Sequence, residues 1–155
     1  MDVTRNADRG EHIRVGQLEV VFFAHAADTD GHMDLYEVRV PPGARVPGAH
    51  HHIDMDEVIY GLEGVMTYVV GDVIHEVHPG ERVFSPRGVV HYFANRGSVP
   101  ARTLICGTPA RVGPEYFRAV AGVLSAGGPP DLSKVAAVMR QYGLEPAPLS
   151  ESVRL

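Results

Sequence analysis

The chain is poor in several things, and each shortage excludes something. Cys106 is the single cysteine in 155 residues, so an internal disulfide is ruled out and a reducing compartment fits. Lys and Arg number 14 against 19 Asp and Glu, and the formal charge of −5 offers no basic footprint for nucleic acid or an anionic membrane. The longest apolar stretches, such as Leu18 to Ala24, fall far short of the ~20 residues of a membrane-spanning helix. Behind Met1 come Asp2, Val3, Thr4 and Arg5 with no apolar segment after them, which predicts no secretory signal and a soluble, cytoplasmic protein.

What is present is turn-rich. Gly (17) and Pro (12) break the sequence into short apolar runs, the pattern of an all-β sandwich or barrel. Strands are predicted over 13–15, 18–23, 33–40, 50–53, 57–62, 65–70, 73–77, 81–84, 90–95 and 101–108. Gly16, Asp28 to Gly31, Pro41-Pro42-Gly43, Gly64, Gly71-Asp72, Pro79-Gly80 and Pro86 to Gly88 punctuate them. After Pro109 the period changes. Tyr116, Phe117, Val120 and Val123 are spaced as on a helix, and a second helix starts after the candidate N-cap Asp131 and ends at Gly143. The division is a loose arm over 1–11, a barrel over 12–110 and a helical extension over 111–155 packed on it, with the tail from Pro146 extended. No internal repeat is present, so there is one barrel.

Nine histidines is the unusual count. Alternate side chains of a strand share a face, so His50 and His52 point together and His51 points away. Asp54 and Asp56 bracket a turn, and Glu57 opens the next strand beside the two imidazoles if the strands pair antiparallel. His91 is a fourth candidate on a later strand. Imidazoles with a carboxylate suit one divalent transition-metal ion: Fe, Mn, Ni, Cu or Zn.

Here the residues resemble the cupins. His50-x-His52, four residues, Glu57, six residues and Gly64 follow the first cupin motif, although the spacing from Gly43 to His50 is one residue longer than the commonest form. Gly80, five residues, Pro86-x-Gly88, two residues, His91, three residues and Asn95 follow the second without departure, after a gap of fifteen residues. The resemblance implies a jelly-roll β-barrel with the metal near its centre, and ligand roles for His50, His52, Glu57 and His91. Any one of these histidines alone reads as surface or core; the four ligands in register read as a site. Residues 13–146 further resemble the quercetin-dioxygenase-like single-barrel cupins, on Glu57-Val58-Ile59-Tyr60 to Gly64 and on the tail residues Thr108-Pro109, Pro114 to Arg118 and Tyr142 to Glu145. Cupins of that kind are commonly homodimers, and the bare sheet edges of a small barrel point the same way.

Phe93 follows His91 by two residues and Ile59 follows Glu57 by two, which makes both candidates for the substrate pocket or, equally, for ordinary barrel core. Tyr36, Tyr60, Met66 and Tyr68 have no fixed face, because a one-residue slip reverses them. His12, His25, His32, His75 and His78 read as surface or turn residues, Arg82 and Arg87 as solvent-facing, and Cys106 as core rather than nucleophile. The resulting expectation is a metal-dependent dioxygenase acting on a small aromatic or flavonol-like molecule, with Glu57 also able to take a substrate hydroxyl proton. The alternatives are a lyase, isomerase or cyclase that uses the metal as a Lewis acid, and a non-catalytic small-molecule binder.

Overall fold

The computed structural model describes residues 10–154. Most of the predicted turns cut the chain where Gly or Pro stands, leaving β1 (Glu11–Val15), β2 (Leu18–Ala24), β3 (Asp34–Val40), β4 (His50–His52), β5 (Asp56–Glu63), β6 (Met66–Val70), β7 (Val73–Val77), β8 (Arg82–Ser85), β9 (His91–Ala94) and β10 (Ala101–Thr108). One helical turn, α1 (Ala26–Thr29), takes in the first half of the predicted Asp28–Gly31 corner. Then come α2 (Pro114–Leu124), α3 (Leu132–Gln141), β11 (Leu144–Pro146) and a 3-10 turn over Glu151–Val153.

The strands form two antiparallel sheets, ordered β1-β2-β3-β10-β5-β8 and β11-β4-β9-β6-β7, which face each other as a jelly roll. Register fixes the faces that the sequence left open. Phe22 pairs with Tyr36, Tyr36 with Ile105, Ile105 with Ile59 and Ile59 with Val83, and this buried row crosses five strands on the inner side. The adjacent inner row runs Asp34, Gly107, Glu57, Ser85. Cys106 therefore faces outward, between Leu35 and Val58, and is half-buried on the outer surface of the sheet instead of in the core. Gly64 turns the chain from β5 to β6 at φ 63°, and a Cβ there would lie 2.4 Å from the Pro100 carbonyl, so the position excludes other residues.

One carboxylate on the outer face is nearly enclosed. Glu37 is 3% exposed and accepts hydrogen bonds from Arg39 and Arg102, which also reach Glu19 and Glu63. Burial pushes the Glu37 carboxyl up, but the two guanidiniums outweigh it and hold the pKa below the usual range. A depressed carboxylate contributes stability at neutral pH that is lost as the pH falls below the normal glutamate range. Glu37→Gln is expected to lower stability at pH 7 by about 1.5–3 kcal/mol, the scale of hydrogen bonds to charged groups. The deficit should shrink between about pH 5 and pH 3 as the wild-type carboxylate protonates. Urea denaturation across that range measures it.

The helices close one end. Pro114 occupies the first turn of α2, whose buried residues are Pro114, Tyr116 and Val120, and Arg118 pairs with Glu11 of β1. Asp131 caps α3 by accepting from the backbone N–H groups of Ser133 and Lys134. The extension also supplies a strand of its own: Leu144, Glu145 and Pro146 of β11 pair with His52, His51 and His50. Pro146 is tolerated because β11 is a sheet edge. Of the predicted N-terminal arm, residues 1–9 lie outside the described residues, and Glu11 already belongs to β1. No helix among the described residues is long and apolar enough to cross a membrane.

Candidate metal centre

The pleat of β4 buries His50 and His52 and turns His51 to the other face. β9 brings His91 opposite His50. Pro86-x-Gly88 makes the turn before β9, and Gly88, at φ 76°, donates its N–H to the His52 carbonyl at 2.7 Å, which ties the two histidine-bearing segments together. The outcome is a group of three buried imidazoles whose ligand atoms lie within 4.8 Å of one another.

Two of the three are already oriented. Nδ1–H of His50 donates to the Gly48 carbonyl at 3.0 Å, and Nδ1–H of His91 donates to the Val89 carbonyl at 3.1 Å. A carbonyl only accepts, so the proton sits on Nδ1 and the Nε2 lone pair is left to bind a cation. His52 differs: its buried Nδ1 has no hydrogen-bond partner, and its buried Nε2 makes no hydrogen bond and faces only the Glu57 carboxylate at 3.4 Å. An orphaned buried nitrogen costs on the order of 1–3 kcal/mol, a cost that a coordinated ion removes. Burial, then the neighbouring His91 and His52, push His50 down to about 3, which keeps it neutral as a ligand must be. The donor set fits a transition-metal ion.

Glu57 stands beside this group. Its Oε1 lies 3.4 Å from His52 Nε2, its Oε2 lies 3.2 Å from His91 Nε2, and the Tyr36 hydroxyl donates to Oε1 at 3.0 Å. Burial raises the Glu57 carboxyl, but His52 and His91 outweigh it and hold the pKa well below its ordinary value. The same contact, working against burial, raises His91.

A cavity of about 60 Å³ opens onto these residues, several times the ~10–15 Å³ that admits one water. Its other walls are apolar and aromatic, and no lysine or arginine among the described residues lines it. Phe93 is on the wall. Ile59 is fully buried between Ile105 and Val83 and lies in the barrel core, one row beyond Glu57, instead of on the wall. Reasoning from the sequence missed Tyr36, Tyr68, Tyr116 and Phe117, all of which line the cavity. Only the pairing of Tyr36 with Phe22 and Ile105, that of Tyr68 with Phe93, and the docking of α2 make them visible.

Residues 36–106 match the family model described as Cupin domain. Protein SchB of Streptomyces halstedii is 33% identical over 101 residues, which cover 65% of this chain and 68% of that one. The polyketide cyclase RemF from Streptomyces resistomycificus superposes with a TM-score of 0.59 at 27% identity, over 68% of this chain and 80% of RemF. A predicted oxalate decarboxylase from Thermotoga maritima superposes with a TM-score of 0.60 at 21% identity, over 69% and 98% of the two chains, a likeness of fold alone.

Proposed function

The chain belongs to the cupin superfamily, and from that premise we propose that it is a metal-dependent enzyme acting on an uncharged, hydroxylated aromatic molecule, a polyphenol or an aromatic polyketide. The observation that carries this reading is the cavity wall: three imidazoles and Glu57 on one side, tyrosine, phenylalanine and aliphatic side chains elsewhere, and no lysine or arginine among the described residues. An anionic substrate such as a sugar phosphate or dicarboxylate presents charge away from the metal that a cationic side chain would have to meet, since a buried unpaired charge is very costly. Aromatic rings meet apolar walls without that cost.

A divalent ion held by His50, His52 and His91 would supply Lewis acidity, stabilising the negative charge that develops on a substrate oxygen. The chain does the rest. Glu57, ionised and within reach of that position, takes the hydroxyl or enol proton. Phe93 and the tyrosines orient the rings and exclude bulk water. The cavity is smaller than the ~300 Å³ at which small-molecule pockets begin, so such a substrate enters only as the wall opens, a wall to which α2 contributes Tyr116 and Phe117.

Beyond the proton transfer, the likeness to a polyketide cyclase at 27% identity supports ring closure without oxygen. A flavonol-type dioxygenase is the second reading, favoured by the complete set of three histidines and a glutamate. Flavonols, catechols and polyhydroxylated naphthols incubated with Zn(II)-, Mn(II)-, Fe(II)- or Ni(II)-loaded protein, in sealed anaerobic cells and in parallel in air with an oxygen electrode, decide between them. Conversion without oxygen is the expected result. Conversion only with matching oxygen uptake selects the dioxygenase, and tight binding without product selects a non-catalytic binder. Turnover of sugar phosphates or dicarboxylates in preference to every phenol overturns the substrate class.

A further inference from the structure

Tyr36, Tyr68 and Tyr116 all line the metal cavity, and their hydroxyls differ in one respect. The Tyr36 hydroxyl donates to Glu57, and the Tyr68 hydroxyl bonds Thr103. Tyr116 is 6% exposed, yet its hydroxyl makes no hydrogen bond among the described residues. A buried tyrosine normally finds a partner for its hydroxyl, because a desolvated donor left unpaired is costly. The other polar side chains on the wall are the three imidazoles and Glu57, which belong to the metal centre. Outside that centre, the Tyr116 hydroxyl is the one uncommitted side-chain donor among the described wall residues.

The Tyr116 ring is nevertheless held in place. The buried Asp34 carboxylate accepts from the backbone N–H groups of Arg111 and Val112 at 2.7 and 2.9 Å, which ties the approach to α2 onto β3. The Tyr116 N–H donates to the Gly113 carbonyl at 3.1 Å in the first turn of α2. Its ring meets Phe117 at 5.0 Å and Tyr142 at 5.5 Å between centroids, both edge-on. Phenylalanine would make the same ring contacts, so packing alone gives no reason for the hydroxyl. Burial, then the Glu57 charge, raise the phenol above its ordinary pKa, so it stays protonated and donates. A donor already fixed in place loses little freedom when a ligand accepts from it.

We propose that Tyr116 is a substrate-binding residue whose hydroxyl donates to a second oxygen of the aromatic substrate, a carbonyl or hydroxyl remote from the oxygen at the metal centre. This rests on the reading of the substrate as a hydroxylated aromatic molecule, and it narrows that class. A ring with one oxygen leaves the Tyr116 hydroxyl idle, whereas a ring with two can reach from the histidines to α2. Tyr116 thereby selects polyoxygenated rings over simple phenols, as a placed polar group in an apolar pocket sets orientation and specificity.

The test measures direct binding of the isomeric dihydroxynaphthalenes and hydroxytetralones to Zn(II)-loaded wild type and Tyr116→Phe. Naphthol and tetrahydronaphthol serve as the one-oxygen parents. The substitution keeps the ring and removes only the hydroxyl. In the wild type, at least one two-oxygen probe should bind about tenfold more tightly than its parent, the scale of one neutral hydrogen bond. In Tyr116→Phe that gain should vanish while the parents bind as before. No gain for any probe in the wild type overturns the proposal. So does a gain that survives the substitution, or an equal loss for probes and parents.

Unfolding midpoints in chelator read the hydroxyl without metal or ligand. Tyr116→Phe should leave the midpoint unchanged or raise it, since no hydrogen bond is lost. A fall of about 2–4 °C or more would mean that the fold itself uses the hydroxyl, and overturns the proposal. If Zn(II)-loaded wild type binds neither probes nor parents, the phenolic substrate class falls and this proposal with it. Binding of the parents without any gain for the probes overturns this proposal alone.

Discussion

Glu57→Gln is expected to lower kcat on a phenolic substrate by roughly 10²- to 10⁴-fold, the usual contribution of a positioned general base, while metal content stays at the wild-type level. The substitution is nearly isosteric, and the amide oxygen can still accept from the Tyr36 hydroxyl, which now sits 3.0 Å from Oε1. What disappears is the charge that His52 and His91 stabilise and the ability to take a proton. The three imidazoles remain, so the ion should remain. Steady-state kinetics and elemental analysis of the same preparation separate the two roles that the sequence leaves to Glu57. Lost turnover with retained metal marks a base, and lost turnover with lost metal marks a ligand. Turnover within tenfold of wild type would remove Glu57 from the chemistry.

Tyr68→Ala is expected to cost about 3–5 kcal/mol of folding stability, as loss of a large buried aromatic does. Tyr68 is 1% exposed, its ring lies 5.3 Å from that of Phe93, and its hydroxyl bonds Thr103 Oγ1 at 3.3 Å across the barrel, from one sheet to the other. Alanine would leave a void against the metal cavity and orphan the Thr103 hydroxyl. For a chain of this length the loss corresponds to a fall in melting temperature of roughly 6–20 °C. Differential scanning calorimetry measures it. A loss below about 1 kcal/mol would mean that the barrel interior is hydrated and adaptable at this position, contrary to the close-packed wall described above.

How much of this was legible in the residues depended on the kind of signal. His50, His52 and His91 could be grouped from sequence because alternation along a strand is a strict rule and their spacing matches two cupin motifs. Glu57 was legible as a neighbour for the same reason; its bond to Tyr36 was not. From Tyr36 to Val40 apolar and polar residues alternate, but Asp34-Leu35 breaks the phase, and only the pairing with Phe22 and Ile105 fixes the Tyr36 face beside Glu57.

Phe93 and Ile59, each readable from sequence as pocket or as core, separate on a similar point. Both share the face of a neighbouring site residue, but Ile59 is walled in by Ile105 and Val83 while Phe93 borders the cavity. β11 was invisible for a different reason. Three residues are too few to show a period, and Pro146 argues against a strand until the segment is known to lie on an edge. Its consequence is functional: Leu144 lines the cavity, and the segment pairs with the strand that carries His50 and His52.

The claim on which everything else depends is that His50, His52 and His91 hold a metal ion. Elemental analysis of untagged protein purified without chelator, for wild type and His52→Ala side by side, tests it most directly. The account predicts about one transition-metal ion per wild-type chain. In the variant, affinity should fall by more than the roughly 10- to 100-fold that follows loss of a group behind the ligands, leaving the protein essentially metal-free. A wild type that stays empty after reconstitution with Fe(II), Mn(II), Ni(II), Cu(II) or Zn(II), or a His52→Ala variant that retains a full complement, would contradict it.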